Sequence, residues 1–249
     1  MLTELPAVER VAMIAMHTSP LAQPGSGDGG GLNVYVLETA RRLAARGVGV
    51  DVFTRASAPD APPRVTVSDG FDVHHVAAGP RAPVAKEDLP NLLCAFLLGL
   101  ERHVEQHLPD ANPDVVHAHY WLSGWVGRRL RERWGVPFVQ SFHTLARVKN
   151  ESRTPGDEPE PMLRVVGETH LVEEADRIVV SVCGEARLLH RLHGTSGARL
   201  SVVPPGVDHD IFHPGEADPP ASAPPGDGPL LLFVGRLQPL KGPDVAVET

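Results

Sequence analysis

The sequence predicts an α/β fold: a doubly wound, Rossmann-like parallel sheet with helices on both faces. Short apolar runs alternate with longer amphipathic segments along the chain, and this alternation is typical of βαβ units. Stretches rich in glycine and proline separate the segments, as turns between strands and helices require. We therefore expect one large domain of this class, followed by the beginning of a second.

The first βαβ unit shows the pattern. Residues 11–16 (VAMIAM) are apolar throughout, which is typical of a parallel strand buried on both faces. In residues 32–46 the apolar side chains recur at helical spacing, and Gly47 follows as a C-cap glycine. Residues 48–54 (VGVDVFT) form the next predicted strand.

The remaining elements repeat this alternation. Further strands are predicted at 73–76, 114–117, 137–141, 177–181, 200–203 and 230–234. Further helices are predicted at 89–107, 122–134, 161–175 and 185–193, with one more beginning at 243. Asp88 and Pro90 mark the beginning of the 89–107 helix, and Gly135 follows the 122–134 helix. The polar residues 150–160 are predicted to form a mobile, solvated acidic loop.

These elements divide the chain into three parts. Residues 1–213 form a complete Rossmann-like domain, and the proline-rich residues 214–229 form a linker. Residues 230–249 begin a second domain, since one strand and half a helix are too little to bury a core.

Composition excludes several classes of protein. With 42% hydrophobic residues, the 249-residue chain can bury a core and is not disordered. Its net charge of −8 disfavours binding to nucleic acid. Two cysteines, Cys94 and Cys183, are too few for a disulfide framework and favour a reducing compartment. The longest apolar run, 92–100, is too short to cross a membrane, and residues 1–10 do not resemble a signal peptide. We therefore expect a cytoplasmic protein.

A glycine-rich loop, residues 17–31, joins the first strand to the first helix. Ligands of open α/β sheets bind beyond the carboxyl ends of the strands, and such a loop lets backbone N–H groups approach an anion. A surface loop without function is the alternative. Residues 25–30 (GSGDGG) fit the dinucleotide pattern G-x-G-x-x-G only formally, because the loop is too long, and this argues against a nicotinamide-dependent oxidoreductase.

Polar side chains also follow three later strands. His117 and His119 could pair on a metal, but the sequence offers no third ligand nearby, so lining of a site or a structural role is favoured. Residues 141–150 (SFHTLARVKN) carry a hydroxyl, an imidazole and two cations. With Lys86 and Arg164 they predict a phosphate cradle, the alternative being scattered solvated cations. Residues 235–242 place Arg236 and Lys241 beside glycines, which again suggests phosphate binding.

Together these segments resemble the N-terminal part of the family 4 glycosyltransferases of the GT-B fold. Within that family they resemble the group that glycosylates an inositol phosphate at the start of mycothiol synthesis in actinobacteria. The specific matches are HTSPL at 17–21, GDGGGLNVY at 27–35 and HTLARVKN at 143–150. Further matches are HAHYWLSG at 117–124, VVPPGVD at 202–208 and FVGRLQPLKGP at 233–243, of which the last two are general to the superfamily.

The resemblance implies a fold and a reaction. Two Rossmann-like domains would face a cleft, with the acceptor mainly on residues 1–213 and the nucleotide sugar mainly on the domain that begins at 230. The reaction implied is transfer of N-acetylglucosamine from UDP-N-acetylglucosamine to 1D-myo-inositol 3-phosphate with retention of configuration. No metal or other cofactor is implied, and neither nucleic acid nor membrane is a partner. The choice of UDP over GDP rests on the resemblance alone.

The resemblance also implies roles for individual residues. Acceptor-binding residues are implied at His17, Asp28, Gly29, Gly30, Gly31, Leu32, Asn33, Lys86, Tyr120, Thr144 and Arg164, the last four around the phosphate. Donor-binding residues are implied at Gln23, Pro24, Gly31, Arg236 and Lys241. His17, Arg236 and Lys241 are the implied catalytic residues, and the two cations would neutralise the departing diphosphate.

Departures from the family pattern leave alternatives open. Gly30, Leu32 and Phe142 differ from the usual residues, and the linker is rich in proline where relatives have a short helical segment. Another cyclitol, an aminocyclitol or a thiol is therefore an alternative acceptor. Because the second domain is truncated in this sequence, we expect this chain alone to bind acceptor rather than transfer sugar, and a non-catalytic ligand-binding fragment is a further alternative. The apolar helix at 89–100 is a candidate homodimer interface.

Overall fold

The computed structural model describes residues 7–25, 29–109, 112–153, 157–214, 231–235 and 242–248. Its strands are β1 (Arg10–Ile14), β2 (Gly49–Arg55), β3 (Arg64–Ser68), β4 (Phe71–Val76), β5 (Val115–His119), β6 (Phe138–Ser141), β7 (Arg177–Val180) and β8 (Leu200–Val202). Its α-helices are α1 (Gly31–Ala44), α2 (Leu93–His107), α3 (Trp121–Trp134), α4 (Ala146–Glu151), α5 (Met162–Glu174), α6 (Cys183–His193) and α7 (Pro243–Glu248). Short 3₁₀ helices span Leu89–Leu92 and Gly197–Arg199.

The eight strands form one sheet in the order β3-β4-β2-β1-β5-β6-β7-β8. All neighbouring pairs are parallel except β3 and β4, which form an antiparallel hairpin at one edge. From β1 the chain first builds the sheet outward through β2 and β4, then returns to the other side of β1 to place β5. The strand order therefore reverses between β1 and β5, which is where sheets of this class bind ligands. This topology confirms the predicted doubly wound α/β fold.

Both faces of the sheet are buried. Met13 of β1 packs in an apolar cluster with Val36 of α1, whereas its neighbour Ile14 packs in a second cluster with Phe96 of α2 and Leu122 of α3. Successive residues of a strand point to opposite faces, so a continuously apolar run such as 11–16 requires helices on both sides. The structure provides them, with α1 on one face and α2 and α3 on the other.

One strand and one α-helix of the structure were not predicted from the sequence. The β3 strand has no buried residue and alternates between half-buried and exposed positions, so it lacks the apolar run by which the other strands are recognised. Helix α4 has six residues, too few for a helical periodicity to be visible in the sequence. It lies within the HTLARVKN segment and the beginning of the region that was predicted to be a mobile loop.

The predicted helix at 89–107 begins as a 3₁₀ turn at Leu89–Leu92 and continues as α2 from Leu93. Asp88 precedes this turn but makes no capping bond through its side chain. The apolar run 92–100 is only partly core, because Phe96 and Leu100 are fully buried while Leu98 is half exposed. Cys94 and Cys183 are exposed and unpaired.

The chain divides into two compact units, Met1–Pro204 and Pro205–Thr249. In the second unit the helix predicted from Pro243 is present as α7. The strand predicted at 230–234 is wrong for residues 231–234, which make no strand pairing, with Leu232 and Val234 more than three-quarters exposed. An isolated apolar segment has no neighbouring strand to pair with among the described residues, so its backbone stays outside a sheet. Nearly all of the predicted linker, and residues 236–241, lie outside the described residues.

A buried polar network lies in the first unit, away from the carboxyl ends of β1 and β5. Asp51 of β2 accepts bonds from Arg10 Nε at 2.7 Å and from His74 Nε2 at 2.9 Å. His74 Nδ1 lies 2.9 Å from Nε2 of His103 on α2. Since a carboxylate only accepts hydrogen bonds, His74 donates to Asp51 from Nε2. The network therefore satisfies a carboxylate and two imidazoles that the fold has buried.

This network makes stability depend on pH. Burial, and the neighbouring His74 and His107, lower the pKa of His103 to about 4. The unfolded chain therefore binds a proton at His103 that the folded chain does not, and we expect the free energy of unfolding to fall as the pH drops from about 6.5 towards 4. His103→Gln should reduce this slope by up to one proton, about 1.4 kcal/mol per pH unit. Denaturant unfolding between pH 4.5 and 8 measures it.

His170→Gln is the matched control, because His170 lies exposed on α5. An identical slope for wild type and His103→Gln, or an equal loss of slope for His170→Gln, would contradict the assignment.

Candidate functional site

The candidate site lies where β1, β5 and β6 end. These strands are neighbours, and their registers pair Ile14 with Ala118 and His119 with Ser141. The residues that follow the three strands therefore emerge side by side at the carboxyl edge of the sheet. His17 follows β1, Tyr120 follows β5 and His143 follows β6, so the first three motifs of the sequence meet at the point where the strand order reverses.

Tyr120 is the centre of this site. Its φ of 75° is positive, a conformation that costs a residue other than glycine about 1–3 kcal/mol. Bonds hold it there, since Tyr120 N donates to Ser141 O at 2.8 Å and Tyr120 O accepts from Gly124 N at 3.0 Å. The His17 ring lies 4.5 Å from the tyrosine ring, between centroids. Tyr120 thus reaches its position through a strained turn between β5 and α3.

Two cations lie over the Tyr120 ring. Lys86 Nζ and Arg164 Cζ are each 4.9 Å from its centroid, within the range of a cation–π interaction. Lys86 comes from the loop before the 3₁₀ turn, and Arg164 from the first turns of α5. The fold therefore brings together two positive charges that are 78 residues apart in the sequence.

Arg164 is almost fully buried, at 1% exposure, and is held by bonds to three residues. Its Nε donates to Glu168 at 2.7 Å, its Nη1 donates to Glu160 at 2.8 Å, and its Nη2 donates to both Thr144 O and Thr144 Oγ1 at 2.9 Å. Burial opposes the charged guanidinium, but Glu168, Tyr120 and Glu160 together outweigh this and raise the pKa of Arg164. The side chain is therefore a fixed positive charge at the edge of the site.

Glu168 fixes Arg164 to the segment after β6. It is fully buried, and its second oxygen accepts from Ala146 N at 2.7 Å. Burial raises the pKa of the Glu168 carboxyl, yet both oxygens accept from N–H donors, one of them cationic, and this arrangement suits the carboxylate. Because the Thr144 hydroxyl accepts from Arg164, its own proton is directed elsewhere and can be donated to a ligand.

A buried arginine also orders the loop that carries Lys86. The guanidinium of Arg55, at the end of β2, donates to Pro80 O at 2.7 Å and to Ala82 O at 2.8 Å. Burial lowers the pKa of this guanidinium. Arg55 thus donates hydrogen bonds to backbone carbonyl groups of a loop that belongs to neither a helix nor a strand. These bonds hold the loop against the sheet next to the site.

The histidines of the site are neutral. Burial is the main cause that lowers the pKa of His17 to about 3, and the nearby Lys86, His143 and Arg164 lower it further. Burial likewise lowers the pKa of His117 to about 3 and that of His143 to about 4. His119 Nδ1 lies 3.0 Å from His143 Nε2, and His117 Nε2 lies 2.9 Å from Ser141 Oγ. The positive charge of the site at neutral pH therefore comes from Lys86 and Arg164, while the imidazoles offer neutral donors and acceptors.

Two imidazole nitrogens of the site, His17 Nδ1 and His119 Nε2, are buried without a hydrogen-bond partner among the described residues. Of these, His17 lies directly against Tyr120. Within the described part of the chain, no group of three or more His, Cys, Asp or Glu side chains is placed to hold a metal ion. The His117 and His119 rings pack against each other with 4.1 Å between centroids and their planes tilted by 38°.

The glycine-rich loop is organised by Asn33. This side chain is buried, at 1% exposure, and its Oδ1 accepts from Gly30 N at 3.0 Å. Its Nδ2 donates to Thr18 Oγ1 at 2.7 Å and to Ser19 O. Asn33 thus ties the beginning of α1 to the segment that carries His17, and both amide hydrogens are already used within the protein. Contact between Asn33 and the glycosyl acceptor stays a prediction, whereas these bonds show that Asn33 positions the loop.

The other predicted site residues lie as follows. Gly29 is buried, Gly30 and Leu32 are half-buried, and Gly31, Gln23 and Pro24 are exposed around the same loop. Asp28, Arg236 and Lys241 lie outside the described residues.

Arg147, which the sequence placed among the cations of the phosphate cradle, is directed elsewhere. It donates to Leu192 O and Thr169 Oγ1, because it lies on the side of α4 that packs against α5 and α6. Lys149 pairs with Glu160.

Sequence reasoning missed the two carboxylates that hold Arg164. Residues 150–160 were predicted to be a solvated acidic loop, and this is wrong for Glu160, whose side chain is 20% exposed and paired with Lys149 and Arg164. A signal was present, since Glu160, Arg164 and Glu168 are spaced by four residues. Residues at this spacing lie on one face of a helix and interact.

A family model described as the glycosyl transferase 4-like domain matches residues 30–206. D-inositol 3-phosphate glycosyltransferase from Kineococcus radiotolerans is 52% identical over 97% of this chain, which corresponds to 56% of that protein. The protein of the same name from Acidothermus cellulolyticus is 54% identical over 96% of this chain and 54% of its own length. The chain thus spans about half the length of the curated relatives it matches.

Among solved structures, sucrose-phosphate synthase from Thermosynechococcus elongatus superposes with a TM-score of 0.76 and 28% identity. The superposition covers 83% of this chain and 50% of that one. No helix in the described residues is long and apolar enough to cross a membrane.

The bonds of Asn33 lead to a prediction. Asn33→Ala should lower the free energy of unfolding by about 1–3 kcal/mol, because it leaves the half-buried Gly30 N and the buried Thr18 Oγ1 without their partner. Urea denaturation measures the loss. Asn91→Ala is the control, since Asn91 is exposed and should change stability by less than about 0.5 kcal/mol. Unchanged stability of Asn33→Ala would show that the side chain does not organise the loop.

Proposed function

This chain belongs to the glycosyl transferase 4-like family, and we propose that it is the acceptor-binding part of a retaining glycosyltransferase. The acceptor is 1D-myo-inositol 3-phosphate, the donor is UDP-N-acetylglucosamine, and the transfer begins mycothiol synthesis. The names of the relatives support the inositol phosphate acceptor, and the cation pair at the carboxyl edge of the sheet supports a phosphorylated one.

The observation that carries the proposal is the placement of Lys86 and Arg164 over Tyr120 beside the Thr144 hydroxyl. A phosphate monoester needs cations and hydrogen-bond donors from more than one direction, and charge-assisted bonds of this kind are worth about 1.5–3 kcal/mol each. The two cations come from separate segments of the chain and meet on one tyrosine ring, and the hydroxyl of Thr144 has its proton available. An uncharged sugar would gain little from this arrangement.

The neutral imidazole of His17 fits the ring of a cyclitol. A neutral imidazole both donates and accepts, and so do the hydroxyl groups of an inositol ring. Its Nδ1 is buried without a partner among the described residues, at a site where a ligand hydroxyl can supply one. Under the proposal the loop from Asp28 to Asn33 encloses the rest of the ring.

The donor half of the proposal rests on residues around the glycine loop and beyond the first unit. Gln23, Pro24 and Gly31 approach the nucleotide sugar, and Arg236 and Lys241 neutralise the departing diphosphate, where negative charge grows in the transition state. No metal or other cofactor is part of the proposed chemistry. The exposed, unpaired Cys94 and Cys183 are compatible with the reducing cytoplasm that the proposal assumes.

Calorimetric titration of the protein tests the acceptor. We expect 1D-myo-inositol 3-phosphate to bind at least tenfold more tightly than myo-inositol, because only the phosphate contacts the cation pair. Titration with another phosphorylated cyclitol and with a phosphorylated aminocyclitol separates the alternative acceptors. Equal affinity for the phosphorylated and the plain ring would contradict the phosphate assignment.

A substitution at Lys86 tests the same assignment from the protein side. Lys86→Met should weaken inositol 3-phosphate binding by about 10- to 100-fold, the equivalent of one charge-assisted bond, and leave myo-inositol binding nearly unchanged. This variant is preferable to Arg164→Ala, which leaves the buried Glu168 carboxylate unpaired and threatens folding. Arg187→Met, at an exposed position of α6, controls for the loss of one positive charge. An equal loss for both ligands would contradict the role of Lys86.

A further inference from the structure

The guanidinium of Arg164 is already paired with a carboxylate of the protein on its Nη1 side. Glu160 Oε2 accepts from Arg164 Nη1 at 2.8 Å, and its other oxygen accepts from Lys149 Nζ. Although burial opposes ionisation, Lys149 and Arg164 hold the pKa of Glu160 below its usual range. A carboxylate therefore bridges two cations beside the predicted phosphate position, and any ligand phosphate that contacts Arg164 Nη1 competes with it.

The two carboxylates on Arg164 differ in how firmly they are built in. Glu168 is fully buried on α5 and also accepts from the backbone of Ala146. Glu160 precedes the helix, and its side chain is 20% exposed. Its backbone N donates to Asn150 Oδ1 at 2.8 Å. Displacing the Glu160 carboxylate from Arg164 therefore leaves its backbone anchored, whereas displacing Glu168 would bury an unpaired charge.

We propose that Glu160 lowers the anion affinity of the site by competing with the ligand for Arg164. When no ligand contacts Arg164, the Glu160 carboxylate balances the charge of the buried guanidinium and keeps the group aligned. An anion that takes the place of Glu160 on Arg164 must displace this carboxylate, so removal of its charge strengthens anion binding, whereas an uncharged ligand is unaffected. The identity of the ligand rests on the function proposed above, but the competition for Arg164 rests on the contacts of Glu160 alone.

The charges of the site support this direction. Arg164, Lys149 and Lys86 are positive, and Glu160 and Glu168 are negative, so the empty site has a small positive excess. Substituting Glu160 by glutamine raises that excess by one unit while keeping the size and the hydrogen-bonding oxygen of the side chain. Glu168 still holds Arg164 through Nε, so the guanidinium stays in place and offers Nη1 to the ligand.

The test compares Glu160→Gln with wild type by calorimetry at pH 7.5 and fixed salt. We expect inositol 3-phosphate and inorganic phosphate to bind about three- to tenfold more tightly to the variant, as removal of one nearby, partly exposed charge allows. Binding of a singly charged anion, formate, should also improve, but by a factor no larger than that of phosphate, because the removed charge repels a dianion twice as strongly. Myo-inositol should bind unchanged.

Glu158→Gln is the matched control, since Glu158 is exposed in the same segment and the change in net charge is identical. Unchanged or weaker phosphate binding by Glu160→Gln would overturn the proposal, and so would an equal gain in Glu158→Gln. Glu160→Ala provides a second variant, and it should show the same gain. Thermal unfolding of all variants confirms that they are folded when titrated.

The ligand set separates this proposal from the function on which it rests. If Glu160→Gln strengthens inorganic phosphate binding while wild type binds inositol 3-phosphate no better than inorganic phosphate, the acceptor is wrong and the role of Glu160 stands. If inositol 3-phosphate binds selectively but Glu160→Gln has no effect, the role of Glu160 is wrong and the acceptor stands. If no anion binds to the folded wild type or its variants, both are overturned.

Discussion

The buried ion pair between Arg164 and Glu168 is the constraint on which the site depends. A buried arginine is tolerated only where its charge and its N–H groups are matched, and this one is matched by Glu168, Glu160 and Thr144. Through Glu168 the pair also binds the backbone of Ala146, which sets the path of the chain after β6. The same interaction therefore positions a charge, a hydroxyl and a loop.

The sheet supplies the place where these groups can meet. Because β1, β5 and β6 are adjacent and parallel, the residues beyond their ends converge on one edge. Tyr120 and His143 both have a positive φ there, 75° and 61°, and strained residues of this kind cluster at functional sites. Burial keeps the surrounding imidazoles neutral, so they add no charge to the pair of cations on the tyrosine ring.

Much of this arrangement was predictable from the sequence, and the rest depended on long-range packing. Apolar runs and helical spacing predicted the doubly wound sheet, and the polar residues after three strands predicted which edge carries the site. The edge strand β3 has only a five-residue alternation with no buried position, and the six-residue α4 is too short for a helical periodicity to be visible. Glu160 was misjudged because its acidic neighbours are solvated, although its four-residue spacing from Arg164 was visible. Arg147 was misplaced because only the fold shows which side of α4 it occupies.

The most direct test of the account follows the side-chain N–H resonances of Arg164 by ¹⁵N NMR during titration with 1D-myo-inositol 3-phosphate, with Arg164→Lys to assign them. If the site is the anion cradle described here, the Nη resonances shift on binding, while the Nε proton keeps its bond to Glu168 and stays protected from exchange. Saturation with ligand that leaves every Arg164 resonance unchanged would place the phosphate elsewhere and contradict the account.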